Sequence, residues 1–263
     1  MNRLAVLGHP VAHSRSPAMQ NAALAELGLG EEWSYEAIDV APDGFEQLLR
    51  GLPERGYVGA NVTVPHKGAA LAVADSLSET AREIGAANTL SFAGGEIRAD
   101  NTDAEGLIAA LPSRPEGARA LVLGAGGAAR AVVWALLREG ATVEVWNRTA
   151  LRSRHLCEEL GGAAVEELRA PSYDLIVNST AVGLRGEDPF AELPLSPGDF
   201  GPGQVVADMV YGGEQTALLR AAAAAGAATV DGIEILVRQG ALSLEIWTGR
   251  EAPLDSMRAA ARA

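Results

Sequence analysis

The chain has 263 residues, of which 48% are hydrophobic and 21% are charged, a composition typical of globular proteins. At roughly 150 residues per domain, this length predicts two domains, each with a buried core. The formal net charge is −13 and the pI is near 4.8, so the chain repels phosphate backbones and anionic lipid surfaces. We therefore expect neither nucleic acid nor a membrane as a partner.

The cysteine and histidine content limits the chemistry that the chain can use. Cys157 is the single cysteine, which excludes an internal disulfide and a thiolate metal cluster. The four histidines show no ligand spacing with carboxylates, so we predict no metal site. The first apolar run is too short for a signal peptide, and no apolar segment reaches membrane length. We expect a cytoplasmic location.

Short apolar runs alternate with helical patterns along most of the chain, which predicts βα units and mostly parallel sheets. In the N-terminal part, the predicted strands span 4–7, 34–39, 59–64 and 89–92. The predicted helices there span 17–27, 45–50 and 78–84. Ser16 followed by Pro17 predicts an N-cap and a first-turn proline for the first of these helices.

A second α/β domain is predicted after a Pro/Gly/Arg-rich connection that follows a helix at 102–111. The next residues have the pattern of a strand, a glycine turn, a helix and a strand, and further strands fit 175–178 and 205–209. This order predicts a doubly wound, Rossmann-like domain. From Ile233 onward, a helix rich in large apolar residues either ends this domain or packs back on the first.

The glycine turn of the second domain has the pattern G-x-G-x-x-A. Gly124 suits the tight turn, Gly126 allows the backbone to approach a pyrophosphate, and Ala129 is small enough for close helix packing. The helix that opens at Gly127 offers free N–H groups to the same phosphates. The pattern favours dinucleotide binding, and the alternative is a tight βα turn without a ligand.

The strand after this helix ends at Asn147, where NAD enzymes carry an acidic residue for the adenosine 2′-hydroxyl. Here an amide replaces the carboxylate, and Arg148 and Arg152 follow. Guanidinium groups attract a 2′-phosphate, so this segment favours NADP over NAD. The alternative is a solvated helix start with ordinary surface arginines.

In the first domain, polar residues follow a strand that ends abruptly at Pro65. Asn61, Thr63 and Lys67 are expected to cluster at the carboxyl end of this strand, where ligands sit in open α/β sheets. Lys67 is the only lysine among 21 basic residues. An ammonium can donate a proton, whereas a guanidinium effectively cannot, so Lys67 is a candidate for acid–base chemistry. The alternative is that the single lysine stands here by chance.

Four further polar residues lie near predicted element ends: Ser14, Ser16, Asn88 and Asp103. The two serines follow the first strand, Asn88 precedes a strand, and Asp103 lies in the first turn of a helix. Each has a purely structural alternative, because serine caps helices, asparagine forms turns and a carboxylate is stabilised by the helix dipole.

Together, eight segments in this order resemble the shikimate dehydrogenase family: HSRSP, NVTVPHK, GAANT, DNTDAEG, GAGGAAR, NRT, DMVYGGEQTALL and GIEILVRQGALS. They lie between Gly8 and Trp247, and NVTVPHK with NTDAEG is the most specific combination. The resemblance implies reversible reduction of 3-dehydroshikimate to shikimate with NADPH, in aromatic amino-acid biosynthesis. It also implies a substrate domain of residues 1–103 plus 233–263, an NADP domain of residues 104–232, and a cleft between them.

The resemblance implies a role for each matching residue. Lys67 would be the catalytic acid/base, paired with Asp103. The substrate would be bound by Ser14, Ser16, Asn61, Thr63, Lys67, Asn88, Asp103, Tyr211 and Gln239. The cofactor would be bound by Gly124, Ala125, Gly126, Gly127, Ala128, Asn147, Arg148, Thr149, Arg152, Met209 and Gly232. The resemblance leaves a homodimer open.

The chain departs from the family pattern at Gln20, where a histidine is frequent, at Glu234, where a small residue is usual, and after Tyr211, where Gly-Gly replaces the usual proline. None of the three touches the assignment of Lys67 and Asp103. A relaxed quinate/shikimate dehydrogenase is one alternative, but such sequences tend to carry an acidic residue where Asn147 stands and to use NAD. An NADP-sensing regulatory protein is another, although it would have no need for both members of the pair.

Overall fold

A computed structural model describes residues 1–168, 172–212 and 215–263, and the chain divides into two compact units. The first unit comprises Met1–Gly106 and Leu236–Ala263, and the second comprises Leu107–Ile235. Each boundary lies three residues beyond the predicted one.

The first unit contains a six-stranded sheet in the order β2-β1-β3-β5-β6-β4. Its strands are β1 (Asn2–Gly8), β2 (Trp33–Asp39), β3 (Tyr57–Val62), β4 (Ser76–Leu77), β5 (Thr89–Ala93) and β6 (Glu96–Asp100). The β2–β1, β1–β3 and β6–β4 pairs are parallel, whereas β5 runs antiparallel to both β3 and β6. The sheet is therefore mostly parallel, with one reversed strand.

Helices cover this sheet and bury its apolar side chains. They are α1 (Ser16–Glu26), α2 (Phe45–Gly51), α3 (Lys67–Val73), α4 (Glu79–Ile84) and the beginning of α5 (Asp103–Ala110). Phe45 and Leu49 of α2 pack with Leu7, Val62 and Leu90 of the strands, and all five are nearly or completely buried. This packing holds the ends of the strands in place.

The second unit contains a parallel six-stranded sheet in the order β12-β11-β10-β7-β8-β9. Its strands are β7 (Arg119–Leu123), β8 (Thr142–Trp146), β9 (Ala163–Ala164), β10 (Leu175–Asn178), β11 (Val205–Asp208) and β12 (Ala228–Val230). Its helices include α6 (Gly127–Arg138), α7 (Ala150–Leu160), α8 (Pro189–Glu192) and α9 (Ala217–Ala224). The strand order reverses between β7 and β10, which is the position of the ligand crevice in doubly wound sheets.

Two helices complete the chain, α10 (Gly232–Thr248) and α11 (Leu254–Arg262). From Leu236 onward α10 belongs to the first unit, where α11 also packs against α1. None of the helices in the described parts of the chain is long and apolar enough to cross a membrane. The predicted class, an α/β protein with a mostly parallel N-terminal sheet and a Rossmann-like second sheet, is confirmed.

One local prediction is wrong. Ser16 is not an N-cap, because α1 begins at Ser16 itself and Arg15 occupies the cap position without a side-chain hydrogen bond. Ser16 N instead donates to Ser14 Oγ at 3.3 Å, so the preceding serine satisfies this backbone group. The hydroxyl of Ser16 is therefore not used for capping.

Candidate active site

Strand direction gathers the polar residues of the first unit at one edge of its sheet. The register pairs Asn61 of β3 with Thr89 of β5, and Thr89 with Asp100 of β6. Because β5 is antiparallel, its first residue lies beside the last residues of β3 and β6. The residues that follow β3 and β6, and those that precede β5, therefore meet at this edge.

Lys67 and Asp103 form a buried ion pair at this edge. Lys67 Nζ lies 2.5 Å from Asp103 Oδ2, and the two side chains are only 11% and 7% exposed. Lys67 is the first residue of α3, where the helix dipole disfavours a cation, so helix stability does not explain its position. Asp103 lies in the first turn of α5, where the helix dipole stabilises a carboxylate, but it does not cap the helix, since Asn101 Oδ1 accepts hydrogen bonds from the backbone N–H groups of Asp103 and Ala104.

Asn88 connects the ion pair to its surroundings. Its Nδ2 donates to Asp103 Oδ1 at 2.9 Å and lies 3.1 Å from Gln239 Oε1 on α10. The amide cannot be turned around, because Thr102 N donates to Asn88 Oδ1 at 2.8 Å. The structure thus brings together four of the predicted residues, Lys67, Asn88, Asp103 and Gln239, with the donors and acceptors that hydroxyl and carbonyl groups need.

The other predicted residues of the first unit lie around this group. Ser14 and Ser16 lie in and after the loop that follows β1, and Thr63 directly follows β3, where Thr63 N donates to Leu7 O. Within the described residues, neither serine hydroxyl bonds to Lys67, Asn88, Asp103 or Gln239. Their direct contact with a ligand remains a prediction.

Asn61 lies beneath the ion pair in a buried polar network. Tyr35 OH donates to Asn61 Oδ1 at 2.8 Å, and Asn61 Nδ2 donates to Asn88 O at 3.0 Å and to Ser243 Oγ at 2.9 Å. Thr89 Oγ1 lies 2.8 Å from the same serine oxygen. Sequence reasoning missed Ser243, Thr89 and Thr102, since these contacts join segments far apart in the chain.

Gln20, the first departure from the family pattern, faces α10. It is fully buried, and its Nε2 donates to Gly240 O at 2.9 Å. Its Oε1 is buried without a partner among the described residues. A Cβ at Gly240 would lie 2.4 Å from Met19 Cε, so α1 and α10 pack closely at this position. Glu234, the second departure, lies in the first turn of α10.

In the second unit, the glycine turn has the shape that a pyrophosphate needs. Gly124 has φ +114°, and a Cβ there would lie 2.8 Å from Ser179 Oγ, so a larger residue would not fit. A Cβ at Gly126 would meet nothing within 4 Å, so the space in front of its backbone is open. Helix α6 begins at Gly127, as predicted, without a side-chain cap or an acidic residue in its first turn. Its N–H groups therefore fit a negatively charged ligand.

A buried carboxylate stands at the carboxyl end of β11. Asp208 is 2% exposed, and it accepts hydrogen bonds from Asn178 Nδ2 at 2.9 Å, Val210 N at 3.1 Å and Thr216 Oγ1 at 2.7 Å. Burial raises the pKa of Asp208 to about 6, although these three donors oppose the shift. Sequence reasoning did not single out this residue, nor Ser179 beside Gly124.

The predicted 2′-phosphate segment lies between β8 and α7. Asn147 Nδ2 donates to Thr149 O at 2.9 Å, and Thr149 is the N-cap residue of α7 without a side-chain cap bond. The Arg148 side chain is 84% exposed and lies 3.6 Å from Glu192 Oε2. An exposed guanidinium in so weak a pair is available to a phosphate. Arg152 is exposed on the first turn of α7.

Three predicted residues cluster elsewhere in the second unit. Met209 and Tyr211 follow β11, and a Cβ at Gly232 would lie 2.8 Å from Met209 O and 2.6 Å from Val210 O. Glycine is therefore required where the start of α10 packs on the segment after β11. Over the described parts of the chain, no group of three or more His, Cys, Asp or Glu side chains is placed to hold a metal ion.

Comparison with protein-family models gives three matches that follow one another along the chain. Residues 6–90 match the shikimate dehydrogenase substrate binding domain. Residues 109–183 match the shikimate/quinate 5-dehydrogenase family, and residues 232–262 match the shikimate 5′-dehydrogenase C-terminal domain.

Curated relatives and solved structures agree with these matches. A shikimate dehydrogenase (NADP(+)) of Methanopyrus kandleri is 43% identical, over 98% of this chain and 94% of the relative. One of Methylobacterium radiotolerans is 47% identical, over 94% and 91%. The crystal structure of shikimate 5-dehydrogenase from Thermus thermophilus in complex with NADP(H) and shikimate is 45% identical and covers 100% of this chain and 99% of that chain, with a TM-score of 0.91.

Proposed function

This chain belongs to the shikimate dehydrogenase family, and we propose that it reduces 3-dehydroshikimate to shikimate reversibly with NADPH in aromatic amino-acid biosynthesis. The observation that carries the proposal is the buried pair formed by the only lysine of the chain and Asp103. Asn88 donates to Asp103 and to Gln239, so two amide groups lie beside this pair. This arrangement offers a proton carrier and hydrogen-bonding groups for a polyhydroxylated ring at one place.

Lys67 is the proton carrier in this proposal. Addition of hydride to a ketone builds negative charge on its oxygen, and a positioned ammonium stabilises that charge and transfers its proton to the oxygen. In the oxidative direction, the neutral amine accepts the proton of the substrate hydroxyl. Asp103 keeps Nζ in place at 2.5 Å and balances its charge.

The remaining polar groups of the first unit orient the substrate. Ser14 and Ser16 bind its carboxylate through their hydroxyls, and the absence of a capping bond at Ser16 leaves that hydroxyl available. The ring hydroxyls are bound by Thr63, Asn88, Asp103 and Gln239. Asn61 and Tyr211 are the two further substrate-binding residues of the proposal.

The second unit binds the cofactor. Residues 124–128 hold the pyrophosphate, because the turn is open at Gly126 and α6 presents free N–H groups. Asn147, Arg148, Thr149 and Arg152 hold the adenosine 2′-phosphate, and Met209 and Gly232 lie beside the nicotinamide. Bound NADPH supplies the hydride, and NADP accepts it in the reverse direction.

We also propose a role for each domain, a cellular location and an assembly. Residues 1–103 plus 233–263 form the substrate domain, and residues 104–232 form the NADP domain. The protein acts in the cytoplasm. A homodimer is the assembly to be tested, and light scattering of the purified protein measures its mass directly.

The test is the appearance of reduced-cofactor absorbance when the purified protein meets shikimate. We expect turnover with NADP and much slower turnover with NAD, and shikimate should be preferred over quinate. A preference for quinate with NAD would support the relaxed quinate/shikimate alternative. Absence of turnover with either cofactor, while both ligands bind, would contradict the proposal and favour a regulatory role.

A further inference from the structure

Ser243 is a polar residue at a position where an apolar one would suffice for packing. It lies on α10, four residues after Gln239, and it is fully buried. Its neighbour Leu244 is also fully buried, as is Val237 on the same helix. A buried hydroxyl destabilises the fold unless it is hydrogen-bonded, so its partners indicate what it contributes.

The hydroxyl of Ser243 contacts four other residues, and proton counting fixes the direction of two of these contacts. Gln239 O can only accept, so Ser243 Oγ donates to it at 3.1 Å. Asn61 Nδ2 can only donate, and it does so to Ser243 Oγ at 2.9 Å. One lone pair remains, and the hydroxyls of Thr89 at 2.8 Å and Thr102 at 3.1 Å are both in reach of it. The hydroxyl therefore has no hydrogen-bonding capacity left.

These partners belong to three different segments beneath the ion pair. Asn61 is in β3, Thr89 begins β5, and Thr102 directly precedes Asp103. Ser243 thus ties the helix that carries Gln239 to the segments that carry Asn88 and Asp103. Tyr35 fixes the orientation of the Asn61 amide. Its OH donates to Asn61 Oδ1, so Asn61 Nδ2 points toward Ser243.

Gln239 packs closely against α5 and lies at the limit of a good hydrogen bond to Asn88. A Cβ at Gly106 would lie 2.6 Å from Gln239 Cβ, so α5 packs directly against this part of α10. The contact between Asn88 Nδ2 and Gln239 Oε1 is already 3.1 Å long, and hydrogen bonds weaken steeply as distance and angle depart from the optimum. A small displacement of α10 would therefore weaken the hydrogen bond between the amides of Asn88 and Gln239, which we propose bind the substrate.

We infer that Ser243 is a positioning residue for substrate recognition, which holds Gln239 in register with Asn88 and Asp103 without touching the substrate. The inference rests on the proposed function. Removal of the hydroxyl leaves Asn61, Thr89 and Thr102 with other partners, namely Asn88 O, Asn88 Oδ1 and Asn88 Nδ2. The fold should therefore tolerate the change, while α10 loses the bonds of Ser243 to Asn61, Thr89 and Thr102.

The experiment compares Ser243→Ala with Thr248→Ala. Thr248 is a matched control, since its Oγ1 donates to Leu244 O at 2.8 Å on the same helix, as Ser243 Oγ does to Gln239 O, but it lies outside the network. For Ser243→Ala we expect the shikimate KM and the calorimetric Kd for shikimate alone to rise about tenfold, the factor for one lost hydrogen bond. The NADP KM should change by less than about twofold, and Thr248→Ala should change neither value.

A second variant keeps the test decisive if Ser243→Ala does not fold. Tyr35→Phe keeps the ring and removes the hydrogen bond that points the Asn61 amide at Ser243. Tyr35→Phe should raise the shikimate KM and Kd as Ser243→Ala does, but by a smaller factor. Unchanged shikimate affinity in the folded variants overturns the inference, and so does an equal rise in the shikimate and NADP KM values. If the unaltered protein does not bind shikimate, the proposed function itself has failed.

Discussion

In the first unit, the proposed catalytic pair and Asn88 are buried and bonded to one another, whereas the second unit offers an open glycine turn and exposed arginines. Lys67, Asn88 and Asp103 are all held by protein partners. Gly126 has open space in front of it, and the Arg148 side chain is 84% exposed. The proposed site of the first unit thus depends on side chains fixed by hydrogen bonds, and that of the second on backbone shape and exposed charge.

Substitutions in the two units are therefore expected to have different effects on stability and on ligand binding. Changes in the buried network leave groups unpaired in a low-dielectric interior, so they should affect stability and chemistry together. Gly126 and Arg148 of the proposed cofactor segments have open space or an exposed, weak pair, so changes at these two residues should act mainly on NADP binding.

The largest effect is expected for Asp103→Asn, because it leaves the Lys67 ammonium buried without its counter-charge. Breaking a buried pair in this way costs about 3–5 kcal/mol, and the lost positioning of Nζ should also lower kcat by about 100-fold or more. Urea unfolding and steady-state kinetics measure the two effects. Asp100→Asn is the control, since Asp100 pairs with the exposed Arg98 and should cost less than about 1 kcal/mol. Similar costs for the two variants would contradict the buried-pair account.

Asp208 gives a pH-dependent effect, because it is a buried carboxyl group of the second unit. Its pKa is raised from 3.8 to about 6, so the stabilisation by its protonated form is complete below 3.8 and lost as the pH rises through about 6. Asp208→Asn removes this dependence. The free energy of unfolding of the variant, minus that of the unaltered protein, should rise by about 3 kcal/mol between pH 4 and pH 8. If this difference in unfolding free energy does not vary with pH, the hydrogen-bond donors around Asp208 fully offset the effect of burial on its pKa, and the prediction is wrong.

Gly126→Ala should separate cofactor binding from folding. The added Cβ meets no protein atom within 4 Å and the φ is −95°, so the melting temperature should not change. The same methyl group would enter the space expected for the pyrophosphate, so the NADP Kd should rise about tenfold or more. Gly201→Ala, at another glycine with nothing within 4 Å, should change neither value. Normal NADP affinity of the Gly126 variant would place the pyrophosphate elsewhere.

The smallest effect is expected for Arg148→Ala, because an exposed guanidinium acts through a screened, solvated contact. The NADP KM should rise by about three- to tenfold and the NAD KM should not, since only NADP carries the 2′-phosphate. Arg154→Ala is the control, as Arg154 is an exposed arginine of α7 that pairs with Glu166. Equal changes for NAD and NADP would argue against a phosphate contact.

Sequence reasoning could find elements with strong periodicity or clear end signals. The strand at 175–178 and the start of α6 at Gly127 lie where they were predicted. It did not find α3, whose first residue is Lys67, because the Pro-His-Lys segment shows no apolar periodicity. The hairpin of β5 and β6 was also missed, although Gly94 and Gly95 between the strands both have positive φ and are a known hairpin signal.

For the candidate site as well, sequence reasoning found the residues that carry a local signal and missed those that do not. The family resemblance pointed to Lys67, Asn88, Asp103 and Gln239, and the structure brings these four together. The supporting residues Thr89, Thr102 and Ser243 have no local signal, since a single buried hydroxyl in a strand or helix looks like an ordinary serine or threonine. Only the tertiary contacts, up to 182 residues apart in the chain, show their connection.

The central claim, that Lys67 carries the proton and does not merely bind substrate, is tested most directly by measuring kcat and the shikimate Kd of Lys67→Ala together. The account predicts a fall in kcat of about 100- to 10,000-fold, the usual contribution of a general acid, with a change in Kd of less than about tenfold. A large rise in Kd with an unchanged kcat would contradict it, and would make Lys67 a binding residue only.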